Sequence, residues 1–334
     1  MNSKERYLNL LAGEPVDFIP RIPILMRFAA EYIGSDWGQF AADHRVMTKA
    51  NVVCNEYFGI DQMNTMSDPF RETEGFGAKV SYSPDHGVRI DRPPLADGVD
   101  LSLLKKPDPE TSTRMRDRMD ALRFYLAHYR DTHSIMGWVE GPAAEAADIR
   151  GVEDFFIGLL TEPEDIAALM DVALDNAITY ALAQIALGVD TIGIGDAVAS
   201  QVSPELYEEF ILPRERKLVD AIKGAGAIAR MHICGNITHL LPGLATLGLD
   251  IVDVDYLVDM KTARKVLGDR VVLGGNLDPV ADVLQSNPAA IREKLKIARD
   301  EAGPRFIVNA GCEIPSPTPP ENLKALCEPL TWDD

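Results

Sequence analysis

Residues 227–255 read AIARMHICGNITHLLPGLATLGLDIVDVD, and this stretch decides the fold. It contains two short apolar runs, at 227–231 and 250–254, separated by a segment long enough for a helix. Each run ends on polar residues, with His232 after the first and Asp255 after the second. A strand, a crossover and a second strand in this order predict parallel neighbours in one sheet.

The same pattern recurs along the whole chain. Candidate strands lie at 21–26, 61–66, 135–139, 191–194, 227–231, 250–254, 271–274 and 306–309. Segments between them, such as 154–188 and 288–303, carry apolar residues three and four apart, which is typical of amphipathic helices. We therefore predict an α/β fold, a (β/α)8 TIM barrel formed by one domain over 1–334 with an N-terminal extension. The alternative is a two-domain α/β protein.

One segment, 68–113, interrupts this repeat. It is rich in Pro, Asp and Gly and includes SYSPDHGVRIDRPPLADGVD at 81–100. We expect an antiparallel hairpin or lid at 79–92, inserted after the second strand, rather than a domain boundary.

Charge and hydropathy exclude several classes of protein. The chain has 33 Lys plus Arg against 52 Asp plus Glu, a net charge of -19, so no basic surplus is available for nucleic acid. No apolar run approaches the roughly 18 to 20 residues of a membrane span. Residues 1–18 carry charges where a signal peptide would be apolar. We expect a cytoplasmic protein with neither nucleic-acid nor membrane partners.

The cysteines are too few for a disulfide scaffold. They are Cys54, Cys234, Cys312 and Cys327. In a reducing cytosol, a functional cysteine would act as a thiolate or as a metal ligand.

Candidate metal ligands follow the predicted strands, where the active site of a TIM barrel lies. His232 and Cys234 are two residues apart and therefore project to the same side of their strand. Cys312 follows the last strand, across the barrel mouth, so its loop must curve inward to meet them. One His and two Cys suit Zn(II) and leave a fourth position open, as in catalytic zinc sites. A His and a Cys at a strand end also occur as ordinary packing residues.

Two carboxylates flank Val254 on one face of the next strand. Asp253 or Asp255 is either a fourth ligand, an acceptor that holds the His232 ring, or a carboxylate bonded to loop amides.

Other strand ends supply the remaining candidates. Glu140 and Asp196 are each a substrate-facing acid or a further zinc ligand, and together with Asp255 they are our catalytic candidates. Arg27 and Asn276 are candidates for cofactor binding. The alternatives for Arg27 are to bind a substrate carboxylate or to neutralise nearby acids. Walker, GxGxxG and GxSxG motifs do not occur, which removes the common nucleotide-binding and serine-hydrolase hypotheses.

Six segments of the chain resemble a known family. They are 1–23, 139–151, 202–226, 231–255, 271–284 and 309–326. On these segments the chain resembles the uroporphyrinogen decarboxylase superfamily, most closely the branch of methylcobalamin:coenzyme M methyltransferases and related corrinoid-dependent enzymes. The resemblance implies a (β/α)8 barrel with its site at the barrel mouth.

The resemblance also implies a chemistry. The methyltransferase branch holds zinc with an HxC and a later Cys, which match His232, Cys234 and Cys312. Zinc there lowers the pKa of an acceptor thiol, and the thiolate attacks the methyl group of a methylcorrinoid; in the reverse direction Co(I) takes the methyl from a donor. The acceptor or donor would be a thiol, tetrahydrofolate or a methoxylated compound. No DxHxxG motif occurs, so methylcobalamin or another corrinoid would be free or carried by a partner protein.

Two alternatives stay open. The decarboxylase branch binds its tetrapyrrole with an RQAGR motif, of which the MRFAAEY stretch at 26–32 keeps only Arg27. Tetrapyrrole decarboxylation is therefore the second hypothesis, and a non-catalytic corrinoid or metal carrier is the third.

Overall fold

The structure, a computed structural model, describes residues 1–333. Its strands are β1 (Gln62–Asn64), β2 (Val80–Ser83), β3 (Gly87–Ile90), β4 (Ser134–Glu140), β5 (Thr191–Gly195), β6 (Ile228–His232), β7 (Ile251–Val254), β8 (Val272–Leu277) and β9 (Phe306–Ala310).

Helices alternate with these strands and surround the sheet. They are α1 (Ser3–Ala12), α2 (Met26–Tyr32), α3 (Trp37–Ala42), α4 (His44–Phe58), α5 (Arg71–Phe76), α6 (Thr113–Tyr129), α7 (Pro142–Arg150), α8 (Val152–Thr161), α9 (Pro163–Leu187), α10 (Pro204–Leu206), α11 (Leu212–Gly224), α12 (Leu241–Leu244), α13 (Met260–Leu267), α14 (Pro288–Ala302) and α15 (Pro320–Cys327). Short 3-10 turns lie at Leu101–Leu103 and Ala197–Gln201, and π-helical turns at Tyr207–Ile211 and Pro279–Leu284.

The main sheet is parallel and curls into a barrel. Its strands are ordered β1-β4-β5-β6-β7-β8-β9, with every neighbouring pair parallel. The register aligns Glu140, Gly195, His232 and Asp253 in one row across four strands. Because paired residues of neighbouring strands point to the same side, this row faces one interior. The predicted α/β barrel is confirmed.

An extended segment closes the barrel between β9 and β1. Ile22 N donates to Val308 O at 2.8 Å, and Val308 N donates to Pro20 O at 2.9 Å. On the other side, Asp61 N donates to Arg21 O at 2.9 Å. These bonds put residues 20–22 in the place of an eighth strand.

The first predicted strand, at 21–26, is wrong in extent. Arg21 makes only an isolated bridge, and Met26 already begins α2. The physical reason is the pair Pro20 and Pro23, since proline has no N–H for a strand ladder.

The N-terminal extension covers the amino end of the barrel. Tyr7 and Leu10 of α1 pack on the inward-facing Ile251 and Ile307. The Tyr7 hydroxyl lies 2.8 Å from the Thr191 hydroxyl inside the barrel. The opposite end of the barrel, where the strands end, stays open, and the candidate metal ligands lie there.

The expected hairpin in the 68–113 insertion is present as the antiparallel pair β2 and β3. Beneath it lies a buried ionic cluster that sequence analysis did not predict. Arg114 makes two bonds to the Asp68 carboxylate, at 2.7 and 2.5 Å. Arg71 donates to Glu140 at 2.7 Å, so α5 is tied directly to the end of β4.

Among residues 1–333, α9 is the one helix long and apolar enough to cross a membrane by length and composition. Half of its most apolar window is buried within the protein. Its buried residues include Ile166, Leu169 and Ala173, at the spacing of a helix face packed on a barrel.

A buried carboxyl on α11 makes stability depend on pH. Glu215 accepts a bond from the Tyr207 hydroxyl at 2.5 Å, and burial, assisted by the Asp196 charge, raises the pKa of Glu215 from 4.5 to about 8. The folded protein keeps this proton where the unfolded chain has lost it, so folding stability falls as pH rises through that window.

Replacing Glu215 with Gln removes this titratable group. We expect the variant to be more stable than the parent by on the order of 2 kcal/mol at about pH 9, with a much smaller difference near the unfolded pKa. Urea unfolding at several pH values measures the difference. Glu209→Gln, at an exposed position in the π-helical turn that contains Tyr207, is the control and should leave the free energy of unfolding unchanged at both pH values. Equal pH profiles for parent and Glu215→Gln would contradict the prediction.

Candidate metal centre

Three soft donor atoms meet at the barrel mouth. His232 Nε2 lies 3.2 Å from Cys234 Sγ and 3.8 Å from Cys312 Sγ. The two sulfur atoms are 3.5 Å apart. The structure thus brings together the three residues that the sequence predicted as metal ligands.

These separations fit a single tetrahedral ion. Zn–S bonds of about 2.3 Å and a Zn–N bond of about 2.0 Å at tetrahedral angles place the sulfurs about 3.8 Å apart and each sulfur about 3.5 Å from the nitrogen. The observed values differ from these by a few tenths of an ångström. The donor set, one imidazole and two thiols, is also of the type that zinc prefers.

The first two donors are positioned by the end of β6. His232 is the last residue of the strand, and the chain then turns at Gly235, whose φ is +95°. The Gly235 amide donates to Asp255 Oδ2 at 2.9 Å. Asp255 Oδ1 accepts from Leu257 N at 3.0 Å. Asp255, a predicted catalytic residue, therefore holds the loop that carries Cys234 by bonding backbone amides.

The third donor reaches the site because Gly311 has no side chain. A Cβ at Gly311 would lie 2.5 Å from Tyr256 N and 3.2 Å from the Asp255 backbone. Gly311 N also donates to Leu277 O at 2.8 Å. This close approach lets the chain after β9 cross toward β7, which brings Cys312 to the other two ligands.

A carboxylate bonds the imidazole and is itself bonded by a guanidinium. His232 Nδ1 lies 3.0 Å from Asp253 Oδ2, and Asp253 Oδ1 accepts from Arg230 at 2.9 Å. Burial would raise the pKa of Asp253, but Arg230 and His232 outweigh it and lower that pKa to about 2. An ionised carboxylate on Nδ1 directs Nε2 toward a metal and increases its basicity. The sequence left several roles open for Asp253. In the structure it is the hydrogen-bond acceptor that holds the His232 ring.

A hydrogen bond joins the two thiols and shifts their pKa values in opposite directions. The hydrogen bond from Cys234 is the largest influence on Cys312 and, with His232, lowers the pKa of Cys312 to about 4 against the effect of burial. The same bond, together with burial, raises the pKa of Cys234. For His232, burial disfavours the charged ring, but the bond to Asp253 and the adjacent Cys312 raise its pKa to about 10. The site therefore already stabilises one thiolate.

An apolar wall lies beside the three donors. The Trp138 and His232 rings are 6.2 Å apart, and Trp138 packs with Met66 and Met136. Gly193 makes room for the indole, since a Cβ there would lie 2.3 Å from the Trp138 ring. This side of the mouth is therefore apolar.

Glu140 lies beside this wall at the end of β4. Its Oε1 accepts from Trp138 Nε1 at 3.0 Å and from Arg71. Burial raises the pKa of Glu140 to about 7 against the opposing charge of Arg71. Glu140 is therefore a carboxyl that can gain or lose a proton near neutral pH.

The structure places Asp196 against the start of α7. Its carboxylate oxygens accept from Ala143 N at 3.4 Å and Ala144 N at 2.7 Å, at the start of α7. The side chain is fully buried, and its bonds anchor the first turn of that helix.

The two predicted cofactor-binding residues bond neighbouring parts of the chain, and the Arg27 backbone amide donates to Glu313, the residue after Cys312, at 3.0 Å. The Arg27 side chain bonds Glu31 at 2.7 Å and the Asp85 carbonyl at 2.9 Å, which ties α2 to the hairpin. Asn276 donates to Val258 O at 2.8 Å and borders a cleft against α14.

A second group of residues that could hold a metal ion lies outside the mouth. It consists of Asp43, His44 and Asp117. Asp43 pairs with Arg45 at 2.7 Å, and Asp117 pairs with Arg118. Because both carboxylates already have cationic partners, this group is an ion-pair network.

Adding a methyl group at Gly311 tests how Cys312 is positioned. Gly311→Ala must displace either the Tyr256 backbone or the Cys312 loop, so we expect zinc affinity to fall by roughly 10- to 100-fold, the effect of losing ligand orientation. A chelator competition assay measures the affinity. Gly224→Ala, where an added Cβ has no neighbour within 4 Å, is the control. Unchanged zinc affinity in Gly311→Ala would show that this contact does not position Cys312.

Comparison with known proteins agrees with this architecture. The family model for uroporphyrinogen decarboxylase (URO-D) matches residues 2–330. The methylcobamide:CoM methyltransferase MtbA of Methanosarcina mazei is 30% identical over 331 residues, covering 97% of this chain and 96% of that protein. A uroporphyrinogen decarboxylase of Pseudoalteromonas atlantica is 24% identical over 350 residues, covering 98% and 97%.

Solved structures show the same fold. A methyltransferase from Methanosarcina mazei superposes with a TM-score of 0.88 at 24% sequence identity, covering 98% of this chain and 97% of that one. The predicted family resemblance is confirmed: the chain belongs to the uroporphyrinogen decarboxylase family.

Proposed function

We propose that this protein is a zinc-dependent methyltransferase that moves a methyl group between a corrinoid, carried by a partner protein, and a small substrate. The observation that carries the proposal is the meeting of His232 Nε2 with the Cys234 and Cys312 sulfurs within 3.2 to 3.8 Å. A relative 30% identical along nearly the whole chain is a methylcobamide:CoM methyltransferase, which supports the same chemistry.

His232, Cys234 and Cys312 would hold the ion. Zinc bound there supplies Lewis acidity, which favours the thiolate form of a substrate thiol at neutral pH. Asp253 keeps the His232 ring oriented, and Arg230 keeps Asp253 ionised.

Other mouth residues shape the reaction space. Trp138 and Met66 exclude water, which strengthens electrostatic interactions inside the site. Glu140 is the proposed acid or base, because its pKa of about 7 allows it to hold or release a substrate proton at neutral pH. Asp255 acts by positioning the Cys234 loop.

The family match over 2–330 supports one domain. We propose a cytoplasmic location, as the sequence analysis expects.

The experiment measures metal content and methyl transfer together. We expect about one zinc per chain and transfer from methylcobalamin, free or on a corrinoid protein, to small thiols. Loss of transfer on chelation and recovery with zinc would support the proposal. Formation of coproporphyrinogen from uroporphyrinogen without metal would favour the decarboxylase alternative, and stoichiometric corrinoid or metal binding without turnover would favour the carrier.

A further inference from the structure

The apolar wall beside the three donors extends from His232 to the loop that carries Cys312. It is a cluster of large apolar side chains from several elements: Ile24, Met26, Met66, Met136 and Trp138. At one end the Trp138 ring lies 6.2 Å from the His232 ring. At the other end Ile24 O accepts from Ile314 N at 2.8 Å. The part of a substrate that follows its reacting atom would therefore lie against apolar side chains.

Met26 contributes to this wall through an unusual backbone conformation. Its φ is +22°, and it is the one non-glycine residue among 1–333 with a positive φ. Such a conformation costs roughly 1 to 3 kcal/mol and persists where the surrounding structure imposes it. Met26 is half-buried against the wall, whereas the side chain of the next residue, Arg27, leads away to Glu31 and the Asp85 carbonyl. The turn thus presents a thioether to the wall and directs the neighbouring cation elsewhere.

The arginines at and beneath the mouth are already paired. Arg71 donates to Glu140 at 2.7 Å and is 1% exposed. Arg230 is bonded to Asp253 at 2.9 Å and is also 1% exposed. Together with Arg27, these arginines are used to hold carboxylates and loops of the protein itself. A negatively charged substrate would have to compete with those internal partners.

The charges nearest the donors are acidic. Glu313 follows Cys312 in the chain and accepts from the Arg27 backbone amide at 3.0 Å, and Glu140 lies beside Trp138. The whole chain carries a net charge of -19, so the field of the molecule also disfavours anions. Burying a charged group without a partner is strongly unfavourable. The mouth therefore disfavours a substrate with an anionic tail.

We propose that the small substrate of this site is an uncharged, apolar thiol, such as a short alkanethiol. This inference rests on the proposed function and specifies its substrate class. It differs from the CoM for which the 30% identical relative is named, since coenzyme M is a thiol with a sulfonate tail. In the reaction the S–H bond breaks and an S–CH3 bond forms. The electron pair of the cobalt–carbon bond stays on cobalt, which goes from Co(III) to Co(I), and the thiol proton goes to solvent.

Four thiols that share a two-carbon chain and differ in the terminal group test the proposal. They are 1-propanethiol, 2-mercaptoethanol, 2-aminoethanethiol and 2-mercaptoethanesulfonate (coenzyme M). Calorimetric titration of the zinc-loaded protein without a methyl donor gives the Kd of each thiol, and methyl transfer is measured separately. We expect propanethiol to bind about tenfold more tightly than mercaptoethanol, because a hydroxyl loses water at the wall. Its advantage over the sulfonate should be at least about 100-fold, because burial of an unpaired charge costs more.

A charge placed on the wall should change this order. Met26→Lys keeps a long apolar stem and adds an ammonium group. Since position 26 is half-buried, that group can reach water. We expect the sulfonate thiol to bind about fivefold more tightly than in the parent, and propanethiol to bind more weakly. Met26→Leu is the matched control and should keep the order of the parent. Because the same thiols are compared in each protein, differences in their own acidity cancel.

The outcomes separate this inference from the proposed function. If the sulfonate or ammonium thiol binds most tightly to the parent and is methylated, the substrate class is wrong and the methyltransferase stands. If propanethiol binds most tightly but no thiol is methylated, the preference of the wall is supported and the proposed function is wrong. If none of the four thiols binds, both are overturned. The order of binding to the parent decides the question even if Met26→Lys fails to fold.

Discussion

Replacement of Cys312 by Ser is expected to remove both the bound zinc and the methyl transfer. The Cys312 sulfur lies 3.5 Å from Cys234 Sγ and 3.8 Å from His232 Nε2, so its loss leaves two donors where an ion needs at least three from the protein. Disturbing a residue that merely orients a ligand already costs roughly 10- to 100-fold in affinity or activity. We therefore expect the loss of the ligand itself to cost more than about 100-fold in both.

Zinc content and the rate of transfer from methylcobalamin to a thiol measure the two effects. Cys54→Ala is the matched control, because Cys54 is a fully buried thiol in the core. It should keep its zinc and its rate, and lose only some stability. Full activity in zinc-free Cys312→Ser would refute the proposed function, whereas normal zinc content with no transfer would place Cys312 in the reaction but not in the metal site.

The spacing of His232 and Cys234 made their shared direction predictable, because residues two apart on a strand face the same side. The approach of Cys312 was not predictable in the same way. It depends on the missing side chain of Gly311 against the Tyr256 backbone, a contact between elements far apart in sequence. The sequence shows that Gly311 precedes Cys312. It does not show that the Tyr256 backbone lies where a side chain at position 311 would be.

The carboxylates show a second limit of the sequence. Asp196 and Asp255 both follow strands, as catalytic acids of a TIM barrel do, and both bond backbone amides. The sequence shows the residue at the strand end but not whether a loop amide or open solvent faces it. The bonding of Asp255 to loop amides was one of the alternatives that the sequence left open.

Buried arginines show a third limit. Arg71 and Arg114 lie in or beside an insertion rich in Pro, Asp and Gly, yet they are 1% and 3% exposed. Their burial depends on Asp68 and Glu140 being placed opposite them. The repeating apolar pattern predicted the barrel, since that pattern is local, whereas these ion pairs join separate segments.

Replacement of Arg230 by Met is expected to cause the largest loss of stability. Arg230 and Asp253 are each 1% exposed and are joined at 2.9 Å. Removing the guanidinium leaves a buried carboxylate with His232 as its remaining charged partner, and breaking such a pair costs roughly 3 to 5 kcal/mol. Lys223→Met is the control. It breaks the Lys223–Asp250 pair, whose side chains are 39% and 30% exposed, and exposed pairs contribute about 1 kcal/mol or less.

A second substitution separates charge from packing at this position. In Arg230→Met with Asp253→Asn, the buried charge is gone and the amide oxygen can still accept from His232 Nδ1, so the double variant should regain much of the lost free energy of unfolding. Zinc affinity should stay roughly 10- to 100-fold low, since a neutral amide does not increase the basicity of the imidazole. Urea unfolding of the metal-free protein and chelator competition measure the two quantities independently. If the double variant is no more stable than Arg230→Met, the loss comes from packing of the arginine side chain; if it regains zinc affinity as well, the charge of Asp253 has no part in holding the metal.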